Sequence, residues 1–185
     1  MKRILFVLLL VSGSIGAQAQ EYGRNIGSVS VTYNGQPSKT FKFEDDQVEL
    51  LVPKESISEI VVSAKNKTST SIYFNWTESY FLINGETIPV VDNSKGVAIA
   101  LGIETKEANS TTPNSKIAPN SKIELKLGSK KGMLFDYSAV NKYFKEHGKV
   151  MDDKIVLVFE KSGELIEKVI PIQVYTGRVI KQLKR

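Results

Sequence analysis

The chain contains no cysteine and only one histidine, His147. The missing cysteine excludes disulfides, a thiol nucleophile and the lipid anchor of bacterial lipoproteins. The sequence also lacks the G-x-S-x-G and H-E-x-x-H motifs, and Gly128 and Gly132 flank Ser-Lys-Lys without the spacing of a phosphate-binding loop. We therefore expect a protein that is not an enzyme and uses no cofactor. A hydrolase with two facing carboxylates stays open as a less favoured alternative.

Long apolar runs are missing as well. The run Ile4–Val11 covers eight residues, whereas a transmembrane helix needs roughly 20. This run follows Lys2 and Arg3 and precedes Ala17-Gln18-Ala19, a pattern typical of a secretory signal peptide. We predict a signal peptide over 1–19 and a mature chain without a transmembrane segment. Its expected location is the periplasm or the exterior of a Gram-negative bacterium.

No strong charge of one sign remains after export. The formal net charge is +5, and removal of Lys2 and Arg3 leaves +3 because residues 1–20 contain no acid. Most basic residues alternate with acids, which is typical of a solvated surface and argues against nucleic acid as a partner. The stretch 177–185 is predicted to be a basic tail, either a frayed end or, less favoured, a contact for anionic lipid or polysaccharide.

Alternation of apolar and polar residues dominates what is present. Side chains in a strand point to opposite faces in turn, so each such run buries one face. The sequence predicts an all-β protein with an immunoglobulin-like antiparallel β-sandwich over 28–176, preceded by a flexible start at 20–27. The alternating sets are Val29/Val31/Tyr33, Phe41/Phe43, Val48/Leu50/Val52, Ile60/Val62/Ala64, Ile72/Phe74/Trp76, Ile123/Leu125/Leu127, Ile155/Leu157/Phe159 and Ile170/Ile172/Val174.

Turn signals separate the alternating runs, and one segment has helical spacing. Asn-Gly at 34–35 and 84–85 and Ser-Gly at 162–163 favour tight hairpins. One short inserted helix is predicted at about 138–147, with Ser138 capping its start and Gly148 following its end. Its inner side would carry Val140, Tyr143, Phe144 and His147.

The pentapeptide Pro-Asn-Ser-Lys-Ile occurs twice, at 113–117 and 119–123. Proline and Asn-Ser favour a turn, and Lys-Ile can begin a strand. Only the second copy continues into alternation, so we predict a strand after it and a loop at the first copy, within a polar loop over 104–120. Two short copies do not make a repeat architecture.

The segment 41–127 resembles a group of secreted envelope proteins and lipoproteins of unassigned function. The shared pattern comprises Phe43-Glu44-Asp45-Asp46 with Val48, then Asn66-Lys67-Thr68, Trp76 with Glu78, Asn84-Gly85, and the stretch 116–123. The chain departs from it by lacking a lipidated cysteine and a His-Ser-Gly-rich loop between Val90 and Thr112. The resemblance implies an extracytoplasmic immunoglobulin-like module and supplies no catalytic residue.

Candidate sites are few, and each has a structural interpretation beside the functional one. Glu44, Asp45 and Asp46 are weak candidates for a metal site, because adjacent acids more often form a wet turn; Asp152-Asp153 is weaker still. Trp76, Tyr80 and Phe81 are possible ligand contacts, although a lone tryptophan on a strand face is usually core. Asn66 and Asn75 begin Asn-x-Thr triplets, and Asn66 is predicted to cap a turn.

These observations predict an exported, non-enzymatic envelope protein that binds a protein partner, or serves a structural role, through loops and a strand edge. The alternative of another class is a glycan-binding module with exposed aromatic residues. It requires at least one ring of the three candidates to lie open on the surface.

Overall fold

The computed structural model describes residues 24–26, 29–37, 40–94 and 114–184. The predicted signal peptide at 1–19 and the stretch 104–113 of the predicted loop lie outside the described residues. Of the predicted flexible start, residues 24–26 form a strand.

Within the described residues, the first sheet contains nine antiparallel strands in the order β1-β2-β14-β13-β7-β11. Strand β3 pairs with β2, while β8 pairs with β13 and β9. The strands are β1 (Arg24–Ile26), β2 (Val29–Tyr33), β3 (Gln36–Pro37), β7 (Ile72–Phe74), β8 (Tyr80–Ile83), β9 (Glu86–Pro89), β11 (Ser115–Ile117), β13 (Asp153–Lys161) and β14 (Glu164–Thr176).

The second sheet contains five described antiparallel strands in the order β10-β12-β6-β5-β4. They are β4 (Lys42–Glu44), β5 (Val48–Glu55), β6 (Glu59–Asn66), β10 (Val91–Asp92) and β12 (Lys122–Gly128). Its strands β5-β6-β12-β10 follow the A-B-E-D order of an immunoglobulin-like sandwich, and β14-β13-β7 of the first sheet follow G-F-C. The predicted fold class is therefore confirmed.

The core lies between the two sheets and is formed mainly by the alternating residues that the sequence predicted. All members of the predicted alternating sets are buried except Phe43 and Ile123, which are partly buried. The largest fully buried side chains include Tyr33, Phe74 and Phe159. Because each strand presents its apolar side to the facing sheet, the two layers bury one continuous apolar cluster.

The three predicted tight hairpins are confirmed. Asn34, Asn84 and Ser162 have φ angles of 48°, 55° and 53°, and a glycine with positive φ follows each of them. These angles suit the short turns that match the twist of paired strands. The turns join β2 to β3, β8 to β9 and β13 to β14.

Two helices complete the described fold, α1 (Tyr137–His147) and α2 (Gly177–Leu183). The predicted helix is confirmed, but its predicted cap, Ser138, is wrong: Asp136 accepts hydrogen bonds from the backbone N–H groups of Ser138 and Ala139. A carboxylate one position before the first helical residue reaches these free N–H groups. Gly148 ends α1 in the left-handed conformation, as predicted.

Helix α2 occupies most of the predicted basic tail, and nothing in the sequence pattern indicated it. Thr176 caps its start by accepting a hydrogen bond from the N–H of Val179 at 3.2 Å, and Val179 is buried. The Thr176 hydroxyl also donates to Asn141 Oδ1 of α1 at 2.6 Å. One apolar residue and one hydroxyl therefore fix this end of the chain against α1 and β14.

The two copies of Pro-Asn-Ser-Lys-Ile lie in different sheets. The prediction of a loop at the first copy is wrong, because Ser115–Ile117 forms β11 and pairs with β7. The second copy turns at Asn120, with φ of 55°, and Lys122 begins β12 in the second sheet. Two side chains hold β11 in place: Trp76 Nε1 donates to Ser115 Oγ at 2.9 Å, and Asn66 Nδ2 donates to Ile117 O at 3.0 Å. Long-range contacts thus form a strand that local sequence did not predict.

Candidate functional site

Strand β14 is longer than the strand beside it. Its C-terminal part, residues 172–176, pairs with β2, which turns back at Asn34-Gly35. The last contact on this side is the hydrogen bond from Asn34 N–H to the carbonyl of Pro171. Among the described residues no strand pairs with β14 before Pro171 on this side. Within the described part of the chain, the preceding part of β14 is therefore a sheet edge.

The backbone direction along this edge follows from the pairing. In antiparallel strands, alternate residues direct both N–H and C=O to the same side. Because the carbonyl of Pro171 faces β2, the odd-numbered residues Leu165, Glu167 and Val169 also direct their N–H and C=O groups to that side. No described residue accepts or donates a hydrogen bond there. We call Leu165, Glu167 and Val169 the open edge.

The side chains of the open edge are exposed on the outer face of the first sheet. Leu165 is 59% and Val169 43% exposed, and both belong to the few large apolar side chains on the described surface. Glu167 lies between them and is also exposed. An exposed edge strand with apolar side chains is a place where another strand readily adds.

The side chain of Lys168 connects this edge to the second sheet. It points to the second sheet, where Nζ donates to Asp45 Oδ2 at 2.5 Å and to Gln47 Oε1 at 3.3 Å. Its side chain is only 12% exposed. Pairing with β13 on the other side keeps the open edge extended, and Lys168 attaches the middle of the segment to the facing sheet.

The weak metal candidates of the sequence serve this attachment. Asp45 closes its own turn by accepting from the N–H groups of Gln47 and Val48, at 2.9 and 2.8 Å. Burial of Asp45 opposes its ionisation, but the hydrogen bonds from Lys168 and these two N–H groups outweigh it and lower its pKa.

Glu44 is bound by lysines as well. Hydrogen bonds from Lys42 and then Lys67 lower the pKa of Glu44 to about 2, and Asp46 is exposed. The three acids therefore do not assemble a metal shell, since two of them already bind ammonium groups. The described residues contain no group of three His, Cys, Asp or Glu side chains that could hold an ion.

Asp153 is a strongly perturbed acid with little exposure. It is 4% exposed, and its Oδ1 accepts the backbone N–H of Asn84 at 2.9 Å. Burial raises its pKa to about 6, the Asn84 hydrogen bond acts in the opposite direction, and Asp152 adds a smaller increase. Asp153 fixes the β8–β9 hairpin, while Asp152 is exposed. The pair does not converge on a common ligand.

Two of the three aromatic candidates, Trp76 and Phe81, are buried in the core. Trp76 is 4% and Phe81 0% exposed, so neither ring offers a face to a sugar in this structure, and Trp76 takes the core position that a lone tryptophan on a strand face usually has. Trp76 packs edge-on against Phe74, with 4.8 Å between ring centroids. Tyr80 is half-buried on the outer face of the first sheet.

The remaining polar candidates have structural roles. His147 was predicted on the inner side of α1 but is exposed, where its ring stacks on Tyr143. Asn66 is confirmed as a turn cap, since its Oδ1 accepts from Thr68 N–H at 2.8 Å. Asn75 accepts from the N–H groups of Thr77 and Glu78 in a second turn.

The described helices are both too short and too polar to span a membrane. Comparison with protein-family models, with curated proteins and with solved structures finds no match. The likeness to envelope proteins of unassigned function therefore stays a prediction from sequence motifs.

Proposed function

We propose that this chain is an exported, non-enzymatic envelope protein that binds a protein partner by accepting one of its strands at the open edge. The single observation that carries the proposal is the open edge itself. Export is supported by the signal-peptide pattern of residues 1–19. The motif resemblance to secreted envelope proteins supports the same location.

Strand addition fits the chemistry of this edge. Leu165, Glu167 and Val169 each offer one N–H and one C=O, so an added strand of about five residues gains a ladder of main-chain hydrogen bonds. Alternate side chains of the added strand would contact Leu165 and Val169. Main-chain bonds supply affinity in this binding mode, and side-chain contacts select the partner.

The position of Lys168 also has a protective interpretation, because an inward-pointing charge on an edge strand can discourage pairing. Here the ammonium group is already bound to Asp45 within the same molecule. Its charge therefore needs no new partner when a strand is added. Lys168 makes the edge rigid, which reduces the entropy lost on binding.

The proposal is tested with two substitutions at one position. The N–H of Val169 faces the open side, so Val169→Pro removes a donor from the edge and spares the pairing with β13. Val169→Thr keeps the N–H and the strand preference and serves as the matched control. We expect quantitative pull-down from envelope extract to recover a partner with the unaltered chain and with Val169→Thr, and at least about tenfold less of it with Val169→Pro.

Circular dichroism and melting curves establish that both variants fold. If Val169→Pro folds and recovers the same proteins in the same amounts as the unaltered chain, the open edge is not the binding site.

A further inference from the structure

The open edge presents a defined side-chain pattern to an added strand. Leu165, Glu167 and Val169 lie on one face, in the order apolar, acidic, apolar. Opposite them on β13 stand Glu160, Val158 and Val156. Val158 and Val156 are 5% and 2% exposed, so Glu167 is flanked by apolar surface on three sides.

The carboxylate of Glu167 forms no ion pair with the described part of the chain. None of the ion pairs within the described residues includes Glu167. Glu160, its diagonal neighbour on β13, adds a second negative charge and is contacted by the amide of Asn114 at 3.5 Å. The central position of the open edge therefore carries negative charge that no described cation pairs with.

From this pattern we infer that the partner strand carries a lysine or arginine opposite Glu167, with an apolar residue two positions away on each side. The inference rests on the proposed strand addition and specifies its partner. The Cβ atoms of directly opposed residues in antiparallel strands lie about 5 Å apart, so opposite charges at these positions attract and like charges repel. Two apolar residues at the flanking positions would cover Leu165 and Val169.

A second copy of this chain fits the edge less well. Pairing of two open edges gains its full ladder only when Glu167 opposes Glu167 and Leu165 opposes Val169. A shift by two residues in one direction brings in Gly163, which has φ of 85° and belongs to the turn. A shift in the other direction brings in Pro171, which has no N–H and whose carbonyl is already bound to Asn34. The full ladder therefore places two carboxylates face to face, which opposes self-association.

The test uses seven-residue peptides that alternate threonine and valine, with lysine, glutamine or glutamate at the centre and valine two positions to each side. Amide NMR spectra of the purified chain are recorded with up to millimolar peptide. We expect the lysine peptide to shift the amide signals of Leu165, Glu167 and Val169, and to spare those of Val62 and Leu125 in the second sheet. The lysine peptide should bind about three- to tenfold more tightly than the glutamate peptide, with glutamine between them.

Charge reversal supplies the matched control. Glu167 is exposed, so Glu167→Lys is expected to fold, and it should bind the glutamate peptide more tightly than the lysine peptide. Equal binding of all three peptides at the open edge overturns the inference about charge and leaves strand addition intact. If none of the three peptides shifts the amide signals of the open edge, the inference is overturned. If Val169→Pro also recovers the same partner in the same amount as the unaltered chain, strand addition itself is wrong. Concentration-dependent shifts at these amides without peptide would make a second copy the occupant and likewise overturn the inference.

Discussion

Replacement of Asn66 by alanine should destabilise the sandwich strongly, although asparagine is a polar residue in a turn motif. Its side chain is 0% exposed. Nδ2 donates to the carbonyls of Thr70, Ile117 and Ala118 at 2.8, 3.0 and 3.2 Å. Oδ1 accepts from the N–H and the hydroxyl of Thr68, both at 2.8 Å. Asn66 thus joins the end of β6 in one sheet to the end of β11 in the other.

The expected loss in the free energy of unfolding follows from these hydrogen bonds. Two amide protons serve three carbonyls, so about four effective hydrogen bonds are lost, at about 1 kcal/mol each. Neighbouring Thr68 is only partly buried, and water can replace its share of the bonds. We expect Asn66→Ala to lower the free energy of unfolding by about 2 to 4 kcal/mol.

Asn66→Asp should cost at least as much at pH 7, because a carboxylate would face three carbonyl oxygens. Burial and these carbonyls would raise the pKa of the introduced acid in the folded state. Its penalty should therefore decrease as the pH falls and the acid is protonated.

The assay is urea unfolding followed by the fluorescence of Trp76, the only tryptophan. Asn75→Ala is the matched control, since Asn75 begins the other Asn-x-Thr triplet but caps an exposed turn. We expect a loss of only about 0.5 to 1 kcal/mol for the control. If Asn66→Ala loses less than about 1 kcal/mol, or no more than the control, Asn66 does not join the two sheets as described.

Three further predictions concern stability and pH. Trp76→Ala should cost about 3 to 5 kcal/mol in urea unfolding followed by circular dichroism, and a loss below about 1 kcal/mol would contradict its place in the core. Lys168→Met should cost about 1 to 3 kcal/mol at pH 7, because it leaves Asp45 partly buried without its cation. Since the pKa of Asp45 is lowered by folding, this cost should shrink as the pH falls below about 4, and a pH-independent cost would refute the ion pair. Asp153 has a pKa raised to about 6, so its charge lowers stability progressively from about pH 4 to pH 6 and fully above that. Asp153→Asn should therefore gain about 1 to 3 kcal/mol at pH 7 and little at pH 3.5 in thermal or urea unfolding, and an equal change at both pH values would exclude the buried charge.

Much of the fold could be predicted because the alternation of apolar and polar residues that marks a half-buried strand is a local sequence pattern. A period of two places alternate residues on one face wherever the strand lies. Runs such as 48–52 and 155–159 therefore predict both the strand and its buried side. The tight hairpins follow for the same reason, since Asn-Gly and Ser-Gly satisfy the turn geometry by themselves.

The elements that the sequence did not predict depend on distant partners. Strand β11 has three residues and no alternation of its own, and Trp76 and Asn66 hold it through bonds to Ser115 and Ile117. Helix α2 depends on the contact of Thr176 with Asn141. Local propensity carries no information about either contact.

The candidate site could be predicted only in part. A strand edge was expected, but which strand lacks a neighbour depends on where β2 turns relative to Pro171, and no local pattern records that. Leu165 and Val169 lie outside the predicted alternating set Ile170/Ile172/Val174 and have the opposite parity, so no prediction was attached to them. The acids at 44–46 were weak candidates for a metal site. In the structure, Lys42 and Lys67 bind Glu44, and Lys168 binds Asp45.

Site-specific photo-crosslinking in intact cells tests strand addition most directly. A photoreactive residue replaces Val169 on the open edge or, as an exposed control, Leu183 on α2, which is 46% exposed. Strand addition at the open edge predicts a discrete covalent adduct with one envelope protein from position 169 and none of that mass from position 183. No adduct from position 169, or the same adducts from both positions, would contradict it.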